Sequence, residues 1–164
     1  NFLSSQEKIK NILEIGFNAG HSSEIFLISN PDAKITSIDL GIYDYIKVCK
    51  EFLDEKYPNR HNLILGNSKE VIPSLNKEEK FDLIFIDGGH DFETAISDIL
   101  NCRYLAHKDT IVILDDTIFS HNLIYEWTIG PTNAWSLCKN NGIIKELGNI
   151  DFNEMRGMCW GKYN

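Results

Sequence analysis

The chain has 164 residues, 43% of them hydrophobic and 24% charged, with a formal net charge of −8. That length supports one domain spanning residues 1–164 with a sizeable core. The acidic balance argues against a nucleic-acid backbone or an anionic membrane as the main partner, because both attract Lys/Arg patches, and no apolar run reaches the roughly 18 residues of a membrane helix.

In chain order, the first element is a strand at 11–15, followed by a loop from Gly16 to Gly20 and a helix at 21–29. A second strand at 34–39 leads to helical spacing of Ile46, Cys49 and Leu53 over 43–56. A short strand at 62–65, a short helix at 69–75 and a fourth strand at 81–86 come next. Residues 92–105 read as a helix with Ile96, Ile99 and Leu100 on one face, and 110–114 as a fifth strand. Strands separated by helices of this length indicate βαβ units and a parallel sheet covered on both faces, an α/β fold. The end of the chain differs. A helix at 133–140 stops at Gly142, and strands at 143–147 and 157–163 have no helix between them, which predicts a terminal β-hairpin.

The start of the chain, Asn1 to Gln6, lacks the basic region and long apolar stretch of a signal peptide, so a cytoplasmic location is expected. The absence of an initiator methionine suggests a missing upstream segment. Cys49, Cys102, Cys138 and Cys159 form no CxxC pair. Scattered structural thiols in a reducing compartment fit better than a disulfide or zinc framework.

Two junctions carry chemistry. After the first strand, Glu14-Ile15-Gly16-Phe17-Asn18-Ala19-Gly20 places glycines where the backbone must turn tightly, directly before a helix. The dinucleotide fingerprint GxGxxG is broken by Asn18, which disfavours a nicotinamide dehydrogenase, and GxxxxGK[ST] is absent. The second strand ends at Asp39, well placed to hold a ribose diol; a helix cap or solvated turn is the competing reading. The third ends at Gly66-Asn67-Ser68, where Asn67 could meet an adenine edge and Ser68 could cap the next helix or touch a ligand. The fourth ends at Asp87-Gly88-Gly89-His90. A buried strand that ends on a carboxylate calls for a solvated turn or a nearby cation.

The ExGxxxG loop, Asp39, Gly66-Asn67-Ser68, the Asp87 strand and the terminal hairpin together resemble a class I S-adenosylmethionine-dependent methyltransferase, over nearly the whole chain. The resemblance implies a doubly wound Rossmann-like seven-stranded sheet of order 3-2-1-4-5-7-6 with strand 7 antiparallel. It also implies that Glu14, Gly16, Phe17, Asn18, Gly20, Asp39, Asn67, Ser68 and Asp87 bind S-adenosyl-L-methionine. Many members carry Asp where this chain has Asn67.

In such a sheet Asp87 meets the Asp115-Asp116 pair that ends the fifth strand, and three crowded carboxylates call for a hard divalent cation such as Mg²⁺. The competing reading makes Asp116 a helix cap and leaves Asp115 in water. The set Asp87, Asp115 and Asp116 resembles the magnesium ligands of metal-dependent O-methyltransferases. The spacing of Asp87 to His90 is closer to the macrolide sugar O-methyltransferases, and His90 is then the general base.

The expected acceptor is a small hydroxylated molecule or a sugar, faced by Phe119, His121, Tyr125 and Trp127 from the segment 117–132. For Trp127, core packing is an equal alternative. Few residues precede the first strand, so an acceptor lid is missing, minimal or supplied by another subunit, the last implying a homo-oligomer. The rival functions are a metal-independent methyltransferase and a non-catalytic S-adenosylmethionine-binding subunit.

Overall fold

A computed structural model describes residues 8–120 and 125–164. The elements are β1 (Asn11–Ile15), α1 (His21–Ser29), β2 (Lys34–Asp39), α2 (Tyr45–Lys56), β3 (His61–Leu65), α3 (Ser68–Ser74), β4 (Phe81–Ile86), α4 (Phe92–Cys102), a 3₁₀ turn (Arg103–Leu105), β5 (Ala106–Asp115), α5 (Glu126–Asn140), β6 (Ile144–Asp151) and β7 (Gly157–Tyr163). They form one seven-stranded sheet of order β3-β2-β1-β4-β5-β7-β6. The first five strands in that order pair in parallel, and β7 is antiparallel to both β5 and β6. The expected sheet order and hairpin are therefore present.

The central strands are apolar at successive positions because both faces are covered. Leu13 and Ile15 of β1, Ile84 and Ile86 of β4, and Val112 and Leu114 of β5 pack on one side with Ala95 and Ile99 of α4 and Trp135 of α5. The alternate residues Ile12, Leu83, Phe85, Ile111 and Ile113 pack on the other side with Phe26 and Leu27 of α1 and Ile46 and Leu53 of α2. Among the described residues no helix is long and apolar enough to cross a membrane, and all four cysteines are free thiols.

Several boundaries differ from the sequence reading, and two of the larger differences have local reasons. β5 begins at Ala106, not 110, because the polar stretch before Thr110 joins the edge through an irregular register between Phe81 and Leu83. Thr110 pins that irregularity by donating its Oγ1 hydrogen to the Phe81 carbonyl at 2.6 Å. α5 begins at Glu126, not 133, and carries Pro131 inside it. Gly130-Pro131 reads as a breaker in sequence. In space, Gly130 lets α5 cross the end of β4: a Cβ there would lie 2.1 Å from the His90 carbonyl oxygen. The helix thus abuts the backbone that carries His90.

Candidate active site

The carboxyl ends of the parallel strands open into a cavity of about 760 Å³, within the range of small-molecule sites. Gly16, Asn18, Asp39, Gly66, Asn67 and Ser68 line it from the ends of β1, β2 and β3; Asp87, His90, Asp115 and Asp116 line it from the ends of β4 and β5, with Gly16 and Asp87 meeting between the two groups, beside Arg156 and Met158 of the hairpin. Its position at the strand ends where the sheet order reverses is where open α/β sheets bind ligands.

The glycine loop is stitched to its neighbours. The Gly16 N–H donates to the Ile38 carbonyl and the Asp87 N–H to the Ile15 carbonyl, both at 2.8 Å. Gly16 has φ +97° and Asn18 φ +48°. Asn18 thus takes the left-handed conformation that glycine would supply, which Asn tolerates better than most residues. Asp39 organises the loop: its Oδ2 accepts the Phe17 and Asn18 N–H groups at 3.0 and 2.9 Å, and its Oδ1 accepts the Gly41 N–H at 2.8 Å. A carboxylate has about four acceptor sites, so one stays open toward the cavity.

Three residues expected at the cofactor do not line the cavity. Phe17 is buried in the core that α1 and α2 cover, and Gly20 packs under its ring. Glu14 is fully buried and accepts hydrogen bonds from the hydroxyls of Ser22, Ser23 and Ser37, each at 2.5 Å. The Ser37 hydroxyl also meets His61 Nε2 at 2.9 Å. These residues shape the loop from behind. At α3 the cap is Asn67, whose side chain accepts the Lys69 N–H, so the cap assigned to Ser68 belongs one residue earlier.

The buried pair gives opposing pH dependences. Burial outweighs the three hydroxyl donors and raises the Glu14 carboxyl from 4.5 to about 7. Its contribution to stability is complete below pH 4.5 and lost as pH rises through about 7. Burial lowers the His61 imidazole from 6.5 to about 4, so its contribution is complete above pH 6.5 and lost as pH falls through about 4. Glu14→Gln keeps the neutral form at every pH. Its melting temperature relative to the parent should rise between pH 5 and pH 8, by an amount equivalent to at most about 3 kcal/mol. A difference that stays flat over that range would mean that Glu14 is ionised in the fold.

At the ends of β4 and β5, His90 Nε2 lies 3.1 Å from Asp116 Oδ2 and 4.0 Å from Asp87 Oδ1. Ligand atoms of Asp87, His90 and Asp116 all fall within 4.8 Å of one another. Asp115 is absent from this compact group. Its Oδ1 accepts the Asp116 N–H at 2.9 Å. Asp116 has φ +54° and its carboxylate faces His90, and among the described residues no helix begins directly after it. Hydrogen bonds to Asp116 and Asp87 push the His90 imidazole up to about 10. Burial raises both the Asp87 and Asp115 carboxyls, Asp115 to about 6. Two carboxylates converge here on the raised imidazole, and their oxygens are donors of the kind a hard divalent cation takes. His90 does not cap α4: the N-cap is Asp91, whose Oδ1 accepts the Thr94 N–H at 2.8 Å.

The aromatic candidates lie elsewhere. The Tyr125 and Trp127 rings lie 4.9 Å apart at a tilt of 36°, Trp127 Nε1 donates to the Met155 carbonyl, and Phe119 packs on the core. None of the three lines the cavity, and His121 falls outside the described residues. The sequence reading missed Arg156, Met158 and Phe152 on the hairpin and Leu40, Ile42 and Tyr43 after β2. A hairpin beside β5 in the expected sheet order was the signal for the first three.

The profile of a family described as a methyltransferase domain matches residues 13–117, well over half of the chain and including every strand-end residue described above except Arg156 and Met158. The chain belongs to the methyltransferase domain family. As a member it is a class I S-adenosylmethionine-dependent methyltransferase. No curated protein matches it. Among solved structures, this methyltransferase is similar in fold to the O-methyltransferase TomG from Streptomyces achromogenes, solved with S-adenosylmethionine, at 15% identity and a TM-score of 0.80 over 99% of this chain and 77% of that one. It is similar also to the Podospora anserina methyltransferase PaMTH1, solved with S-adenosylhomocysteine, at 21% identity and 0.72 over 99% and 75%. A third similar fold is CalS11, a TDP-rhamnose 3′-O-methyltransferase of calicheamicin biosynthesis, at 17% identity and 0.70 over 99% and 75%.

Proposed function

We propose that this methyltransferase is a Mg²⁺-dependent O-methyltransferase that acts on a hydroxyl of a small molecule or sugar. The observation that carries this reading is the convergence of Asp87, His90 and Asp116 within 4.8 Å, in the same cavity as the Gly16 loop and Asp39. Two of the similar folds are named as O-methyltransferases, one of them acting on a sugar, which supports the acceptor class.

The chain's own residues divide the work. The Gly16 loop and the open acceptor site of Asp39 hold the cofactor's ribose, and Asn67 and Ser68 face its adenine. Asp87 and Asp116 hold the cation, with Asp115 beside them. When bound, the cofactor supplies an electrophilic methyl group on a sulfonium, and the cation supplies the charge that lowers an acceptor hydroxyl's pKa. His90 Nε2 would take the hydroxyl proton only in its neutral form, which requires that Asp116 and Asp87 give up the hydrogen bonds that now hold it protonated. The cavity walls fix the approach of the oxygen, and positioning of that kind supplies much of the rate.

Calorimetry with S-adenosylhomocysteine tests the cofactor half. Asp39→Ala should weaken binding by about 10- to 100-fold, the equivalent of the roughly 1.5–3 kcal/mol of hydrogen bonds to a charged group. Unchanged affinity would remove Asp39 from the site, and no binding to the parent would end the reading. For the metal half, EDTA should abolish methyl transfer and Mg²⁺ restore it. Full activity in EDTA would move the protein to the metal-independent class.

A further inference from the structure

We propose that Arg156 anchors an anionic group of the acceptor, so that the substrate is a hydroxylated carboxylate or phosphate and not a neutral alcohol. This rests on the O-methyltransferase reading of the same cavity.

Arg156 is a cation placed beside a site built for a cation. It lies in the turn between β6 and β7 and lines the same cavity as Asp87 and Asp116. The turn is fixed to the strand end that carries the carboxylates. The Thr117 N–H donates to the Gly157 carbonyl at 3.0 Å, and Met158 is the register partner of Asp115. A Cβ on Gly157 would lie 2.4 Å from the Thr117 carbonyl oxygen, so the contact is backbone on backbone. The turn itself is closed: the Arg156 N–H donates to Asn153 Oδ1 at 3.0 Å, and its carbonyl accepts the Phe152 N–H at 2.8 Å. Its backbone is therefore held, while the side chain is exposed.

Among the described residues the guanidinium makes no ion pair and no hydrogen bond; the carboxylates nearest to the cation site pair with His90 instead. The Arg156 side chain thus lines the cavity as a cation with no anionic partner among the described residues. Its planar fork matches a carboxylate or a phosphate through two parallel hydrogen bonds. An acceptor whose anionic group sits on Arg156 would present a neighbouring hydroxyl toward His90.

The test uses the protein saturated with S-adenosylhomocysteine and three probes that share one small hydroxylated scaffold: glycerol 3-phosphate, glycerate and glycerol. Calorimetry should show at least one anionic probe binding about ten-fold or more tightly than glycerol, as hydrogen bonds to a charged group imply. The stronger of the two identifies the anion as phosphate or carboxylate. In Arg156→Ala the preference should vanish while S-adenosylhomocysteine affinity and melting temperature hold, and Arg156→Lys should restore part of it. Equal or absent binding of all three probes, or a preference that survives in Arg156→Ala, would overturn the proposal and leave Arg156 as a counter-charge for the carboxylates. S-adenosylhomocysteine binding in the same cell reports separately on the cofactor site, so failure of that reading is distinguishable.

Discussion

His90→Ala should lose about 10² to 10⁴ in turnover, the usual contribution of a general base, with cofactor affinity and melting temperature near those of the parent. The geometry separates this from a structural role. The N-cap of α4 is Asp91, so removing His90 deletes no helix cap. The His90 side chain is 43% exposed, and its pairs with Asp116 and Asp87 are partly solvated, so their loss should cost stability little. The cap penalty of about 0.5–2 kcal/mol should fall on Asp91→Ala instead. His90→Gln tests the proton directly: it keeps a polar side chain of similar reach and cannot take the proton at neutral pH, so it should be as slow as the alanine variant. A glutamine variant with near-parent turnover would show that His90 orients the acceptor and that the base lies elsewhere.

The tertiary environment of His90 also explains which parts of this protein were legible in its sequence. β4 is fixed by its own composition, because the apolar run Leu83 to Ile86, with both faces hydrophobic, fits a doubly covered strand. The junctions that follow β1, β2 and β4 are local as well, so Gly16, Asp39, Asp87 and His90 could be singled out one by one. What pattern reading does not supply is long-range pairing. Glu14, Ser37 and His61 lie on three different strands, and their burial as one polar cluster follows from the parallel register of β1, β2 and β3. Gly130-Pro131 reads as a helix breaker, yet the residue that weakens α5 locally is the one that lets it cross the His90 backbone. The approach of His90 to Asp116 joins the ends of two neighbouring strands, and Asp116 takes a positive φ that no periodicity reports.

Gly16→Ala should be the most damaging single substitution among the glycines of the cavity, abolishing measurable S-adenosylhomocysteine binding and lowering stability by roughly 2–4 kcal/mol. Two effects add. At φ +97° a side chain is strained by about 1–2 kcal/mol whatever space surrounds it. The space is also absent: the new Cβ would lie 1.9 Å from the Asp87 carbonyl oxygen and 2.7 Å from its carbon. Both atoms are backbone at the end of β4, held by the Asp87 N–H to Ile15 carbonyl bond, so relief requires that the two strand ends part. Overpacking of a closed core typically costs about 1–3 kcal/mol, and here it also moves the loop whose N–H groups Asp39 gathers. Two other glycines calibrate the result. A Cβ on Gly20 would meet the Phe17 ring at 2.9 Å and Leu53 at 3.2 Å, side chains that can shift, so Gly20→Ala should be milder. Gly142, at φ +67° with nothing within 4 Å of its Cβ, reports backbone strain alone. Chemical unfolding of the three variants should therefore rank Gly16 as the most destabilised and Gly142 as the least. If Gly16→Ala proves as mild as Gly142→Ala, the close approach of the loop to Asp87 is not a constraint in solution. The cofactor site would then have to be rebuilt with the loop further from β4.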